Sequence, residues 1–159
     1  MDSPKPYNFK EQLAIGAQGE AFLDSFFHAD YQIAPAHAFE QKQGIDRHFI
    51  NRNNGTQLRV EYKTDGIAQK THNAFVETTS VDKNDKAGWA YTSTADYLIY
   101  YVPGDELIYV IRLTKLRKCL PTWATKYPLK SALNEGYRTW GLIIPLREFE
   151  RIADRVYSV

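Results

Sequence analysis

The sequence has a single cysteine, Cys119, among its 159 residues. One cysteine cannot form an internal disulfide, and it has no second thiolate with which to hold a structural zinc ion. The histidines are also scattered and lack the spacing of a zinc site; they are His28, His37, His48 and His72. We therefore expect a reduced, cytoplasmic protein without a zinc centre, in which Cys119 is a packed residue.

Several other common signatures are missing as well. No apolar run approaches the roughly 20 residues that cross a bilayer, and the opening stretch MDSPKPYNFK lacks the apolar segment of a signal peptide. There is no Walker-type phosphate loop, no dinucleotide fingerprint and no nucleophile elbow. The formal net charge of +1 neither requires nor excludes a nucleic-acid partner.

The chain does contain enough apolar residues, 43%, for one core, and its length suits one domain over residues 1–159. The patterns predict, in chain order, a helix over about 9–28, four strands, a short helix or loop, two strands, a helix, a strand and a closing helix that extends to Val156. The stretch from Trp123 to Arg138 has no readable pattern. This order is typical of an α/β protein with a mixed central β-sheet flanked by helices.

The first predicted helix contains two glycines one turn apart, Gly16 and Gly19. Each costs roughly 1 kcal/mol against alanine in a helix, so their presence predicts that another element approaches the helix closely. The spacing places Leu13, Ala17, Glu20 and Phe27 on one face of it.

A hairpin is predicted between GIDRHFINR and QLRVEYKT, which are joined around the strong turn signal Asn54-Gly55. Counting outward from a turn centred there pairs Asp46 with Lys63 and His48 with Glu61, all four on one face. The opposite face is then apolar and faces the core; it carries Phe49, Leu58, Val60 and Tyr62.

The polar face of this hairpin has two interpretations. An aspartate beside a glutamate favours a divalent cation such as Mg²⁺ or Mn²⁺, and a neighbouring lysine suits the charge that develops in phosphodiester hydrolysis. Alternatively, Glu61 and Lys63 form a cross-strand charge pair worth only a few tenths of a kcal/mol.

The order of motifs resembles the PD-(D/E)XK nuclease superfamily: a helix with GAQGE, then GID, then VEYK across a hairpin. Ile45 stands where many members have proline. The resemblance implies that Asp46 and Glu61 are metal ligands and that Lys63 is the catalytic lysine. It also implies that Glu20 is the additional acid of the Holliday-junction-resolvase-like branch.

The following segments, THNAFVE and AGWAYTSTADY, resemble a pattern of phage and bacterial members, including homing endonucleases. By that likeness a further set lines or supports the cleft: Asn73, Glu77, Thr92 and Thr94. Basic residues of the flanking loops are candidates for phosphate contacts, with solubilising charges as the alternative; they are Lys70, His72, Lys83 and Lys86.

The resemblance as a whole implies an Mg²⁺-dependent (or Mn²⁺-dependent) endodeoxyribonuclease that acts on DNA as a homodimer or higher homo-oligomer. Two kinds of specificity stay open, a site-specific enzyme of the homing type and a structure-selective, junction-resolving enzyme. A nuclease that acts on RNA, and a catalytically silent nucleic-acid-binding module that keeps the fold, are the rival hypotheses.

Overall fold

The structure, a computed structural model, describes residues 9–134 and 136–159. Most of the stretch on which the signal-peptide expectation depends, residues 1–8, lies outside the described residues. In the described part of the chain, no helix is both long enough and apolar enough to cross a membrane.

The described residues form six α-helices, two short 3-10 helices (Asp82–Asn84 and Pro103–Asp105) and ten strands. The helices are α1 (Phe9–Phe27), α2 (Ala38–Gln41), α3 (Ala68–Thr71), α4 (Trp89–Thr92), α5 (Leu113–Lys126) and α6 (Leu146–Ile152). The strands are β1 (Tyr31–Pro35), β2 (Arg47–Asn51), β3 (Gln57–Thr64), β4 (Asn73–Val81), β5 (Lys86–Ala87), β6 (Tyr97–Val102), β7 (Leu107–Arg112), β8 (Leu129–Leu133), β9 (Arg138–Pro145) and β10 (Arg155–Ser158).

The strands form two sheets. The larger has six strands in the order β1-β2-β3-β6-β7-β10, and it is mixed because β3 and β6 run parallel while its other neighbours are antiparallel. This confirms the predicted mixed α/β class. The smaller sheet is antiparallel in the order β5-β4-β9-β8, and the sequence patterns did not predict it as a separate layer.

The larger sheet has an apolar core on each of its faces. Alternate residues of β3 and β6 face α1, among them Val60, Tyr62 and Ile99, and pack on Leu23 and Phe27. The remaining residues of β6 face the other way, into a core shared with α4, α5, α6 and the smaller sheet. The polar residues Glu61 and Lys63 alternate with Val60 and Tyr62 along β3, so they lie on that second face.

The packing face of α1 is centred on Gly19, which is buried together with Leu23 and Phe27. Leu13 is 57% exposed and Ala17 is also exposed, so of the four residues predicted to share one helix face only Phe27 is buried in the core. The reason is the approach of β3: a β-carbon at Gly19 would collide with the side chain of Thr64. The predicted close approach is thus confirmed at Gly19 and wrong at Gly16, where a β-carbon would meet nothing within 4 Å.

These two glycines give a matched pair of substitutions. We expect Gly16→Ala to stabilise the protein by about 0.5–1 kcal/mol because alanine has the higher helix propensity. Gly19→Ala should destabilise it, because α1 or Thr64 must move to admit a methyl group. Denaturant unfolding of both variants measures the difference, and an equal shift for both would contradict a close approach at Gly19 alone.

The end of the chain differs from the prediction. The closing helix α6 ends at Ile152, and the following residues form β10, which pairs with β7 through Val156 and Tyr109. Val156 is therefore 39% exposed on an edge strand and is not part of the helical stripe. The helix stops because Ala153 adopts an extended conformation. The helical spacing that placed Val156 on the predicted apolar stripe therefore does not continue beyond Ile152.

Candidate functional site

The β2–β3 hairpin forms as predicted, with its apolar face under α1, but its register differs by two residues. Arg47 pairs with Val60 and His48 with Arg59, so the next position places Asp46 opposite Glu61. The predicted pairs Asp46 with Lys63 and His48 with Glu61 are therefore wrong. A shift of two keeps every side chain on its face, and the polar cluster survives the correction.

The longer turn between the strands explains the shift. The Asn51 side chain accepts hydrogen bonds from the backbone N–H groups of Asn53 and Asn54, at 2.8 and 3.3 Å, and Asn54 accepts one from Thr56 N. Gly55 has φ of +72°, a backbone conformation that suits glycine. The loop thus covers residues 52–56, and the pairing of the strands is centred between Asn53 and Asn54, one position before the predicted centre between Asn54 and Gly55.

Glu61 is the only carboxylate among the buried residues of the described chain, with 3% of its surface exposed. Its Oε1 lies 3.2 Å from Lys63 Nζ, whereas Oε2 is buried without a hydrogen-bond partner among the described residues. Burial raises the pKa of Glu61, and the charge of Lys63 only partly offsets this. Buried charges ordinarily have all their oxygens satisfied, so an ion or ligand at Oε2 would complete this site.

Asp46 lies immediately before β2 and joins the two strands of the hairpin. Its N–H donates to Val60 O at 2.8 Å, and its Oδ2 accepts from Tyr62 N at 2.8 Å. The charge of Asp46 contributes to the raised pKa of Glu61, as expected for two carboxylates side by side. One oxygen of Asp46 is thus used by the backbone of β3, in a position that fixes the carboxylate beside Glu61.

Lys63 is the cation of this group. Its Nζ contacts Glu61 and lies 5.9 Å from the centre of the Trp89 ring. Partial burial lowers the pKa of Lys63, but the charges of Glu61, Glu77 and Asp46 together outweigh it and raise the pKa. The side chain as a whole is 37% exposed, and the raised pKa keeps the ammonium group protonated beside the buried carboxylate.

Glu20 belongs to α1, on the opposite side of the larger sheet from Lys63. Its carboxylate lies 3.5 Å from Arg47 Nη2, and Arg47 also binds Asp24, with Nε 3.1 Å from Oδ1. Burial raises the pKa of Glu20, Arg47 lowers it, and the charge of Asp46 raises it further. Glu20 is thus within electrostatic range of Asp46, but Arg47 is its direct partner.

The predicted ligand set does not converge in this structure. Within residues 9–134 and 136–159, no three His, Cys, Asp or Glu side chains are grouped so as to hold a metal ion. Asp46 and Glu61 are neighbours by register, whereas Glu20 is held by Arg47. Two of the predicted metal ligands are therefore side by side, whereas the third, Glu20, is paired with a cation.

A cleft of about 640 Å³ is lined by the end of β3, including Lys63, and by the smaller sheet. Asn73 and Glu77 of β4 line it, as the resemblance implies for the cleft. Burial raises the pKa of Glu77, and the charge of Lys63 partly offsets this. The acidic residues Glu20, Asp46 and Glu61 are not part of its wall.

The remaining predicted residues lie around these two features without entering either. Thr92 and Thr94 are exposed; the Thr92 hydroxyl donates to Gly88 O at the start of α4, and the Thr94 hydroxyl donates to Gln43 O in the loop before β2. The basic candidates Lys70, His72, Lys83 and Lys86 are all exposed. His48, which the predicted register placed on the polar face, is bonded to Glu40 at 2.8 Å.

Three contributors to the site were not found in the sequence. Arg47 and Asp24 form the ion pair that holds Glu20, and the Tyr62 hydroxyl donates to Asp24 at 2.9 Å. Ser93, 2% exposed, donates to Gly44 O at 2.9 Å, and its hydroxyl lies close enough to Glu61 to offset part of the increase that burial causes in the pKa of that carboxyl. The one available signal was Arg47 itself, a cation on the apolar face of a predicted strand.

Comparisons with known proteins add a structural likeness. No protein-family model matches the chain, and no curated protein matches it significantly. Among solved structures, a bacterial homing endonuclease, I-Ssp6803I, is similar with a TM-score of 0.48 and 18% sequence identity, over 70% of this chain and 74% of the other.

Proposed function

We propose that this chain is a metal-dependent DNA endonuclease of the PD-(D/E)XK type. The observation that supports it is the buried carboxylate of Glu61, which has one oxygen without a partner, Asp46 beside it in register and Lys63 in contact. If Glu61 and Lys63 were only a charge pair on an exposed strand, the carboxylate of Glu61 would be exposed as well. Burial of an incompletely paired carboxylate instead costs stability, and such costs are typical of functional sites.

The donor set agrees with a hard divalent cation. Asp46 and Glu61 are oxygen ligands of the kind that Mg²⁺ and Mn²⁺ prefer, and Glu20, whose pKa is raised by burial and by the charge of Asp46, is the third acid of the proposed set. When bound, the ion would supply polarisation of a phosphate oxygen and a more acidic water. Lys63 places a positive charge at the mouth of the cleft, where it can hold the phosphate and the attacking water through hydrogen bonds.

The proposal extends to DNA as the substrate and to a homodimer or higher homo-oligomer as the active form. One site cuts one strand at a time, so two copies would cut both strands of a duplex in one binding event. The site itself contains no readable specificity code, and both the site-specific and the junction-resolving modes agree with it.

The direct test is cleavage of supercoiled plasmid and of branched DNA with Mg²⁺, with Mn²⁺ and with a chelator. We expect nicked or linear products only with the metal. Lys63→Ala should reduce the rate by about 100- to 1,000-fold, the usual effect of removing one charge-stabilising donor. Lys115→Ala, at an exposed lysine of α5, is the matched control and should cut at the wild-type rate.

Three outcomes would contradict the proposal. Cutting that persists in the chelator would exclude a metal requirement, and undiminished cutting by Lys63→Ala would exclude the assigned role of that lysine. Binding of DNA without cutting under any condition would favour the silent binding module. Preferential cutting of an RNA competitor would show that the substrate is RNA and would leave the proposed chemistry unchanged.

A further inference from the structure

The cleft lined by the smaller sheet and the end of β3 has features that cleavage of a paired duplex does not require. We propose that it takes one unpaired, extrahelical nucleotide of the DNA substrate beside the site of cleavage. The inference rests on the proposed function and adds a substrate class to it, DNA with an unpaired or flipped-out base.

The size and position of the cleft agree with this ligand. About 640 Å³ is within the usual range of small-molecule pockets, roughly 300–1,000 Å³, and leaves room for a base and its sugar. Lys63 lies on its wall, so the cleft begins where the carboxylate pair of the proposed cleavage site ends. A nucleotide displaced from the strand at the cut would enter here.

The floor of the cleft is aromatic. Phe75 on β4 and Tyr137 line the cleft, together with Trp89, which is 7% exposed and belongs to the core. Gly141 on the neighbouring strand makes this possible, because a β-carbon there would lie 2.6 Å from the Phe75 ring. Aromatic rings of this kind stack on the faces of unpaired bases, whereas a paired base keeps its faces inside the duplex.

The polar groups of the cleft suit a nucleotide within a strand. Lys63 stands on the β3 wall and Lys130 on the β8 wall, so two cations could contact successive phosphates from opposite sides. The amide of Asn73 and the carboxylate of Glu77 stand between them and are the kinds of group that bond to base edges. No glycine-rich loop is present among the lining residues to cradle a triphosphate, which disfavours a free nucleotide.

Two neighbouring residues of β8 provide a matched test. Ala132 lines the cleft, whereas Leu133 is 47% exposed and points to the other face of the same strand. Ala132→Trp therefore fills the cleft, and Leu133→Trp adds the same ring outside it. Phe75→Leu is the second variant and keeps an apolar side chain of similar reach while it removes the stacking ring.

Binding is measured in chelator, so that no cutting occurs, with two DNA duplexes that differ only by one extrahelical 2-aminopurine. For the wild type and Leu133→Trp we expect the bulged duplex to bind about 5- to 100-fold more tightly, the effect of stacking one base. The fluorescence of 2-aminopurine should be quenched on binding. Ala132→Trp and Phe75→Leu should bind both duplexes equally and should unfold at temperatures close to that of the wild type.

Equal binding of the two duplexes by the wild type overturns the inference, as does a preference that survives in both cleft variants. The plasmid assay separates these results from the proposed function. Metal-dependent cutting without a preference for the bulge leaves the nuclease proposal intact and removes only the cleft ligand. A preference without any cutting supports the cleft ligand and contradicts the nuclease proposal.

Discussion

Replacing Glu61 by glutamine is expected to abolish DNA cleavage and to leave the protein at least as stable as the wild type. The loss of activity follows from the proposed metal site. A metal ion supplies several kcal/mol of transition-state stabilisation, and each 1.36 kcal/mol corresponds to a factor of ten in rate. We therefore expect a decrease of at least about 1,000-fold in the plasmid assay.

The expected gain in stability follows from the burial of the carboxylate. Glu61 is 3% exposed and its Oε2 has no partner among the described residues, so a neutral amide of the same shape removes an unfavourable buried charge. The gain should be on the order of 1 kcal/mol. Lys63 loses the charge of its partner but can still donate to the amide oxygen, and it is 37% exposed and also interacts with Glu77.

The pH dependence of this gain has a definite sign. Burial raises the pKa of Glu61 in the folded protein above its ordinary value. A raised pKa means that the stability contributed by protonation is present at low pH and is lost as the pH rises through the folded-state pKa. The advantage of Glu61→Gln should thus be largest at neutral pH and should shrink as the pH falls toward 4.5.

Thermal unfolding of both proteins in chelator from pH 7.5 to pH 4.5 measures this effect, with Glu150→Gln, an exposed carboxylate of α6, as the control and no expected change. A large loss of stability in Glu61→Gln would show that Glu61 holds the fold together and would assign its effect on cleavage to structure. Opposite signs for activity and stability would identify a residue that is kept for function.

The sequence predicted best those features of the site that depend on residues close together in the chain. The alternation in VEYK determined which side chains face the core, because a strand has only two faces. The register depended on the loop, where the Asn51 side chain competes with the Asn54-Gly55 signal for the position of the turn. A two-residue error was therefore invisible in the apolar pattern, since it leaves both faces unchanged.

The parts that were missed depend on contacts between distant segments. The position of Glu20 depends on Arg47, 27 positions along the chain, and a helical pattern contains no information on such a partner. The smaller sheet depends on β8, whose residues Leu129 and Leu133 are exposed at an edge and give no alternating signal. The packing face of α1 was set by Thr64 against Gly19 and not by the apolar residues that dominate its pattern.

Phe149→Ala is expected to cause the largest loss of stability among single core substitutions considered for this fold. Phe149 on α6 is fully buried, and its ring contacts three others, Tyr100, Tyr109 and Trp123, with centres 5.0, 6.0 and 6.3 Å away. These rings come from β6, β7 and α5. Removing Phe149 therefore opens a cavity where both strands and both helices meet.

The expected loss is about 3–5 kcal/mol, the usual cost of truncating a buried phenylalanine to alanine. For a chain of this length each kcal/mol lowers the melting temperature by roughly 2–4 °C, so thermal unfolding should show a decrease of about 6–20 °C. Phe39→Ala is the matched control, because Phe39 on α2 is 72% exposed, and it should change the melting temperature by no more than about 2 °C.

The effect of Phe149→Ala should also reach the cleft, through Tyr100. Tyr100 meets the Phe149 ring edge-on, its hydroxyl donates to Asp65, and it accepts a hydrogen bond from Phe75 N at 3.2 Å. Phe149→Leu, which fills most of the cavity, should recover much of the stability and the geometry of Tyr100. A melting temperature for Phe149→Ala within about 3 °C of the wild type would contradict a core centred on these rings. It would also contradict the idea that this core gives the cleft a rigid support.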